Sequence, residues 1–129
     1  MRLYLVRHAE AAAGEPDELR PLTAQGGEQA RALGARLRAE DANPEVVLTS
    51  PLLRARETGD ELARALGAQT EPDERLSPGA TLDDVRAAVA GRGEHVVVVG
   101  HQPDCSEIVF ALTGEEVRFP AGAVHEVEL

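Results

Sequence analysis

Short apolar runs alternate along the chain with longer stretches of mixed polarity. Residues 96–99 are four consecutive valines, and further short apolar runs lie at residues 3–6 and 46–48. A run without polar alternation predicts a strand that is buried on both faces, as in a parallel sheet. Residues 69–71 form a weaker candidate strand. Residues 122–129 are predicted to be an edge strand, with its two valines facing inward.

The stretches between these runs have the spacing and the caps of helices. Thr23 is the predicted N-cap of the first helix, and its apolar face is expected to contain Ala30, Leu33, Ala35 and Leu37. Gly67 is predicted to end the second helix. Thr81 and Asp84 have the spacing of a capping box and begin the third. The predicted helices cover residues 24–39, 53–66, 82–90 and 104–112.

Glycine and proline mark residues 9–21 and 72–79 as loops. Strands alternate with helices from one end of the chain to the other. The sequence therefore predicts an α/β fold of three layers, with a mostly parallel central sheet between helices. Its 129 residues are expected to form a single domain, residues 1–129, because one core suits this length.

The composition mainly excludes classes of partner and location. All thirteen cationic residues are arginine, and with twenty-three acidic residues the net charge is −10, which disfavours nucleic acid and anionic membrane surfaces as partners. No apolar run approaches the length of about 18 residues that predicts a membrane span. The first apolar run meets Arg7 too early for a signal peptide. The single cysteine, Cys105, cannot form an internal disulfide, which fits a cytoplasmic protein.

Polar residues follow three of the predicted strands. Arg7 and His8 follow the first, Arg54 lies just after the second, and His101 follows the valine run. In parallel sheets, ligands bind outside the carboxyl ends of the strands. Arginine matches phosphate oxygens with its planar fork of donors, and a histidine ring nitrogen can accept a phosphoryl group as nucleophile. A second, protonated histidine can neutralise the phosphoryl oxygens. Together these residues indicate a phosphoryl site, although each alone is compatible with a structural role.

At these positions the chain resembles the histidine phosphatase superfamily, which has the phosphoglycerate mutase-like fold. The resemblance extends over nearly the whole chain and follows the order of the family's motifs. The matching segments are LVRHAE at residues 5–10, LTAQG at 22–26 with Gln29 and Ala30, SPLLRA at 50–55 with Thr58, and GHQP at 100–103.

The resemblance implies a role for each residue of the cluster. His8 would be the nucleophile and become a phosphohistidine, which water then hydrolyses. Arg7, Arg54 and His101 would bind the phosphoryl group, or phosphate-like anions, and stabilise the transition state. The resemblance implies no metal or other cofactor.

The substrate class is a separate question. The chain is too short for the caps of the larger family members, and it resembles the short SixA-type phosphohistidine phosphatases. These act on phosphorylated proteins that contain a histidine phosphotransfer domain. The main alternative is a phosphomonoesterase that acts on a small phosphate ester with the same scaffold. A second alternative is a non-catalytic module that binds phosphorylated partners.

One departure from the family pattern bears on the substrate. Many members carry Leu-x-Glu after the third strand, with the glutamate as general acid, and here Pro78 occupies that position. An alkyl phosphate needs an acid to protonate its leaving group, whereas an imidazole can leave already protonated. The missing acid favours an N–P substrate, but a weak enzyme or an acid from elsewhere stays open. The candidate general acids are Glu10, Glu57, Asp73, Glu74 and Asp104.

Other reactive residues fit no catalytic pattern. Cys105 lacks the arginine six positions later that a tyrosine-phosphatase nucleophile requires, since that residue is Ala111. His95 precedes the valine strand and His125 lies near the C-terminus, so both are expected to be structural or exposed. Neither the histidines nor the cysteine have zinc-site spacing. Arg20 lies in the loop near the expected site, where it either is solvated or contacts substrate.

Overall fold

Five strands and four α-helices alternate along the computed structural model, which describes residues 1–129. The strands are β1 (Arg2–Arg7), β2 (Val46–Thr49), β3 (Thr70–Pro72), β4 (His95–Gly100) and β5 (Val124–Glu128). The helices are α1 (Ala24–Ala39), α2 (Leu53–Leu66), α3 (Leu82–Val89) and α4 (Asp104–Thr113). Two short 3₁₀-helices lie at Asp17–Leu19 and Glu74–Leu76.

The strands form one sheet in the order β3-β2-β4-β1-β5. The first four strands in this order pair in parallel, and β5 pairs antiparallel with β1 at the edge. The predicted mostly parallel sheet and its edge strand are therefore confirmed. β4 lies at the centre, between β2 and β1, so the three strands with polar residues at their ends are neighbours.

The valine run of β4 contributes to two cores, one on each face of the sheet. Val96 and Val98 pack into a cluster with α3 and α4, and Val97 and Val99 pack into a second cluster with α1 and α2. Burying one such side chain stabilises the fold by about 1.5–3 kcal/mol. Because both faces are covered, the strand needs apolar residues at every position, and the three-layer prediction is confirmed.

Local caps fix the helix boundaries. The Thr23 hydroxyl accepts a hydrogen bond from the Gly26 amide at 2.9 Å, so α1 begins at the predicted residue. Gly67 ends α2 with φ of 69°, a left-handed conformation that glycine adopts without strain. Thr81 and Asp84 form the predicted capping box.

Some details differ from the sequence prediction, including the bounds of several strands and of the last two helices by one or two residues. Ala35 is exposed, and Gly34 takes its place on the buried face, where an added Cβ would lie 2.8 Å from Ala65 Cβ. The close packing of α1 on α2 therefore buries a different set of residues on α1 from the set that the apolar pattern predicts. Both predicted loops contain a 3₁₀-helix, and β3 begins and ends one residue later than predicted. None of the helices has the length and apolar content needed to cross a bilayer.

Candidate active site

The ends of β1, β2 and β4 bring the four predicted site residues to one edge of the sheet. Arg7 pairs with Gly100 in the β1–β4 register, and the His8 amide donates to the Gly100 carbonyl at 3.0 Å. His101 follows directly after β4, and Arg54 lies in the first turn of α2, after β2. The strand-end rule therefore predicted the assembly of this cluster, which we call the His–Arg cluster: Arg7, His8, Arg54 and His101.

The two histidine rings of the cluster face each other edge to face. Their centroids lie 5.2 Å apart, with 61° between the ring planes. His8 Nδ1 lies 2.7 Å from the Ala9 carbonyl oxygen. A carbonyl only accepts hydrogen bonds, so Nδ1 carries the proton and Nε2 keeps a free lone pair. His101 Nε2 is hydrogen-bonded to Ser50 Oγ at 2.8 Å, which fixes the orientation of the second ring.

The surroundings of His8 favour its neutral form. Burial lowers the pKa of His8 below its ordinary value of 6.5. The nearby guanidinium groups of Arg54, Arg7 and Arg20 lower it further, and the Ala9 carbonyl partly opposes this effect. His8 is therefore neutral near pH 7, with a lone pair available for attack on phosphorus.

His101 is shifted more strongly. Burial lowers the pKa of His101 to about 4, the cations Arg54 and Arg7 and the His8 ring lower it as well, and the Asp17 carboxylate opposes them. His101 is therefore neutral near pH 7 in the free protein. The protonated second histidine of the sequence prediction requires a bound anion to raise this pKa.

Arg7 and Arg54 are each held by hydrogen bonds to protein oxygens, and each keeps at least one N–H donor unused. Arg7 donates from Nη1 to the Phe119 carbonyl at 2.9 Å, whereas its Nε is buried without a hydrogen-bond partner. A buried unpaired donor is costly, and an oxygen of a bound phosphoryl group would satisfy it. Arg54 is only 7% exposed and donates to the carbonyl and to the carboxylate of Asp17 at 2.9 and 3.2 Å. A guanidinium has five N–H donors, so Arg54 keeps further donors for a ligand.

Side chains from α1 and α2 secure the segment around His8. Thr58 Oγ1 accepts from the Ala9 amide at 3.0 Å and donates to the Arg54 carbonyl at 2.8 Å, which joins the end of β1 to α2. An added Cβ on Gly26 would lie 2.0 Å from the Glu10 carbonyl oxygen. The first turn of α1 therefore packs directly against the backbone that follows His8, and only glycine fits at this contact.

The five candidate general acids are exposed or engaged by other groups. Glu10 accepts from Thr23 Oγ1, Glu57 from the Leu22 amide and Asp104 from the Gly79 amide, while Asp73 pairs with Arg75 and Glu74 is exposed. No hydrogen bond or ion pair joins any of the five to the His–Arg cluster.

The carboxylate that does contact the cluster is Asp17, which sequence reasoning missed. Its Oδ2 pairs with Arg54, and its Oδ1 accepts from Arg20 Nη1 at 3.0 Å. Arg20 also donates to the Ala12 carbonyl, so it is anchored in the loop rather than freely solvated. Ser50 belonged to a matched motif, but its contact with His101 was not predicted. Aperiodic loop sequence carries no signal for the Asp17 contact.

The side chains of Cys105, His95 and His125 form no hydrogen bond with the side chains of the His–Arg cluster. Burial raises the pKa of the Cys105 thiol to about 12, which makes it unreactive. His95 is exposed at the start of β4, the opposite end from the cluster. His125 Nε2 lies 3.1 Å from the Arg118 carbonyl oxygen, and the His125 ring packs against Phe119. No group of three histidine, cysteine or acidic residues is placed to hold a metal ion.

Comparison with known proteins identifies the family. Residues 3–78 match the model of the histidine phosphatase superfamily (branch 1). An uncharacterized protein of Picosynechococcus sp. is 36% identical over an alignment of 136 positions, which covers 96% of this chain and 82% of that protein. Phosphohistidine phosphatase SixA of Escherichia coli (strain K12) is 30% identical over an alignment of 138 positions, which covers 100% of this chain and 86% of that protein.

A solved structure of a relative agrees with the fold. The structure of the protein histidine phosphatase SixA complexed with tungstate superposes with a TM-score of 0.90 at 30% identity, covering 100% of this chain and 88% of that one. The match confirms the phosphoglycerate mutase-like α/β fold. From the family match, the full-length relatives and this superposition together, the chain belongs to the histidine phosphatase superfamily (branch 1), a membership that implies phosphatase activity.

Proposed function

We propose that the protein removes the phosphoryl group from a phosphohistidine on a partner protein, through a phosphoryl intermediate on His8. The observation that carries this proposal is the state of His8. Its Nδ1 is held by the Ala9 carbonyl, its Nε2 is free, and its lowered pKa keeps it neutral beside two arginines and His101. The full-length relative named a phosphohistidine phosphatase supports the substrate class.

In the first step, His8 Nε2 attacks phosphorus. The Nε2–P bond forms, the bond between phosphorus and the leaving group breaks, and its electron pair departs with that group. The His8 ring becomes cationic, and the Ala9 carbonyl stabilises it by accepting the Nδ1 hydrogen bond. Arg7 and Arg54 bind the phosphoryl oxygens and stabilise their charge, which is the main catalytic requirement of phosphoryl transfer.

In the second step, water attacks the phosphoryl group on His8. The new O–P bond forms, the Nε2–P bond breaks, and its electron pair returns to Nε2. The attacking water gives up one proton to the surrounding solvent, so phosphate is released and His8 returns to its neutral form. No group outside the cluster and water is required for this balance.

The surroundings of the cluster support an N–P substrate. An alkoxide leaves poorly without a general acid, and the five candidate acids have no hydrogen bond to the cluster. An imidazole that is protonated on its distal nitrogen leaves as a neutral ring. Cleavage of phosphohistidine therefore does not require a general acid from this site, whereas cleavage of an alkyl phosphate does.

A substrate panel separates this proposal from the small-molecule alternative. The panel contains a phosphohistidine-bearing phosphotransfer protein, a phosphoserine peptide and sugar phosphates. We expect kcat/KM to be highest for the phosphohistidine protein. Higher values for sugar phosphates would assign the protein as a phosphomonoesterase, and no turnover of any substrate would favour a phosphate-binding module.

A further inference from the structure

A single carboxylate lies at the outer side of the phosphate-binding arginine. Asp17 Oδ2 accepts from Arg54 Nη2 at 3.2 Å, Asp17 Oδ1 accepts from Arg20 at 3.0 Å, and the Asp17 backbone carbonyl accepts from Arg54 Nη1 at 2.9 Å. The Arg54 side chain is 8% exposed, whereas the Asp17 side chain is 59% exposed. Asp17 also lines an open groove of about 610 Å³, formed with residues 13–16 and Arg20.

This carboxylate is ionised and fixed in place. Hydrogen bonds from Arg20 and Arg54 lower the pKa of Asp17 below its ordinary range. An ionised carboxylate cannot act as a general acid, and it repels the oxygens of a phosphoryl group bound to Arg54. What it can attract is positive charge or an N–H donor, since each oxygen keeps a lone pair beyond its arginine contact.

A phosphohistidine substrate offers such a donor where a phosphate ester does not. The imidazole nitrogen that is not bonded to phosphorus can carry a proton, and the ring is then cationic. A carboxylate at the rim favours this protonated ring by charge and by a charge-assisted hydrogen bond. A phosphate ester gains nothing from the same carboxylate.

We infer that Asp17 accepts a hydrogen bond from the distal ring N–H of the substrate phosphohistidine and thereby keeps the leaving imidazole protonated. This inference rests on the proposed function. His8 Nε2 forms its bond to phosphorus while the substrate N–P bond breaks and its electron pair returns to the substrate ring. The proton stays on the distal nitrogen throughout, so the ring leaves as neutral imidazole and no general acid is needed.

The substitution Asp17→Asn tests the inference because it keeps the size, the carbonyl contact and one acceptor oxygen but removes the charge. We expect kcat for a phosphohistidine protein to fall about 10- to 100-fold, the scale of one hydrogen bond to a charged group. For p-nitrophenyl phosphate, whose leaving group needs no proton, we expect no loss. Inhibition by tungstate is expected to stay equal or to strengthen. Glu18→Gln is the matched control, since Glu18 is exposed in the same 3₁₀-helix and forms no ion pair.

The dependence on pH adds a readout that a structural role would not change. Below the ring pKa of about 6.5, solvent protonates the substrate without help, so the loss caused by Asp17→Asn should shrink as pH falls. The charged groups facing Asp17 are Arg20 and Arg54, which stay cationic. His101 is the titratable neighbour. Loss of the carboxylate lowers its pKa further below about 4, so it stays neutral across the assay.

The outcomes separate the two proposals. A wild-type protein that does not turn over phosphohistidine overturns the proposed function and this inference with it. If the wild type is active but Asp17→Asn loses activity equally on both substrates and tungstate inhibits it more weakly, the inference alone is overturned. Asp17 would then only position Arg54. Unchanged activity on phosphohistidine also overturns it. Selective loss that recovers at low pH supports it.

Discussion

At the scale of single residues, the proposed reaction depends on the protons and charges that surround Nε2 of His8. The Ala9 carbonyl holds the proton on Nδ1 of His8, and burial with nearby arginines keeps the ring neutral. Arg7 brings a buried, unpaired Nε to the same place. The geometry therefore places the free Nε2 of His8 beside arginine N–H donors that can bind an anion. Such preorganised donors are what phosphoryl transfer requires.

Removal of either arginine should reduce turnover sharply. We expect Arg7→Ala and Arg54→Ala each to lower kcat/KM by about 10²–10³, by analogy with the loss of one transition-state donor. Arg56→Ala is the control, because Arg56 is exposed on the same helix as Arg54. Steady-state rates within a few-fold of wild type for Arg7→Ala and Arg54→Ala would show that the phosphoryl group binds elsewhere.

The sequence predicted that the four residues of the His–Arg cluster lie together, because each lies at or just after the end of one of three strands. The unbroken apolar runs predict parallel strands, and the carboxyl ends of parallel strands lie at the same edge of the sheet. The order of the strands was not predicted. Asp17 was not predictable in this way. Its contact with Arg54 depends on how an aperiodic loop folds back over α2, and no local pattern specifies that path.

At the scale of secondary-structure elements, the first turn of α1 sets the shape of the backbone after His8. Gly26 contacts the Glu10 carbonyl so closely that a Cβ cannot fit, whereas a Cβ on Gly27 would meet only the flexible end of Arg31 at 3.5 Å. The two adjacent glycines therefore have opposite roles. One allows a close approach, and the other only weakens a helix.

This pair yields a direct comparison of free energies of unfolding. We expect Gly26→Ala to destabilise the protein by about 1–3 kcal/mol through overpacking. Gly27→Ala should stabilise it by about 0.4–1 kcal/mol, because alanine restricts the unfolded chain. Chemical denaturation measures both. A neutral or stabilising Gly26→Ala would contradict the close packing of α1 on the segment after His8.

Elements whose ends are set by local chemistry were predicted well. The bounds of α1 and α2 agree with the sequence because Thr23 caps one and Gly67 ends the other. The predicted buried face of α1 was wrong at Ala35. Gly34 is buried there in its place, because α1 packs closely against Ala65 of α2. Contacts with a partner element are not encoded in the apolar pattern of one helix.

At the scale of the whole molecule, the fold concentrates cations in an acidic protein. The chain carries a net charge of −10, yet Arg7, Arg54 and Arg20 all act on His8. It also buries His101 in its neutral form at the centre of the sheet edge. Burial of a neutral histidine links the stability of the entire fold to pH.

The linkage has a defined sign. The pKa of His101 is lowered from 6.5 to about 4 by folding, so its contribution to stability is present above pH 6.5 and is lost as pH falls toward 4. We expect His101→Asn to flatten the pH dependence of the unfolding free energy in this window, by up to about 3 kcal/mol. His95→Asn, at an exposed position, should leave the dependence as in wild type. An unchanged slope in His101→Asn would contradict the buried neutral state.

The most direct test of the central claim is to trap the phosphorylated protein. Wild-type protein is mixed with a radiolabelled phosphohistidine substrate and quenched within one turnover, and acid-labile, base-stable label on the chain is measured and mapped. We predict label on His8 of the wild type and of His95→Ala, and none on His8→Ala. Label that persists on His8→Ala, or that maps to another residue, would contradict the account.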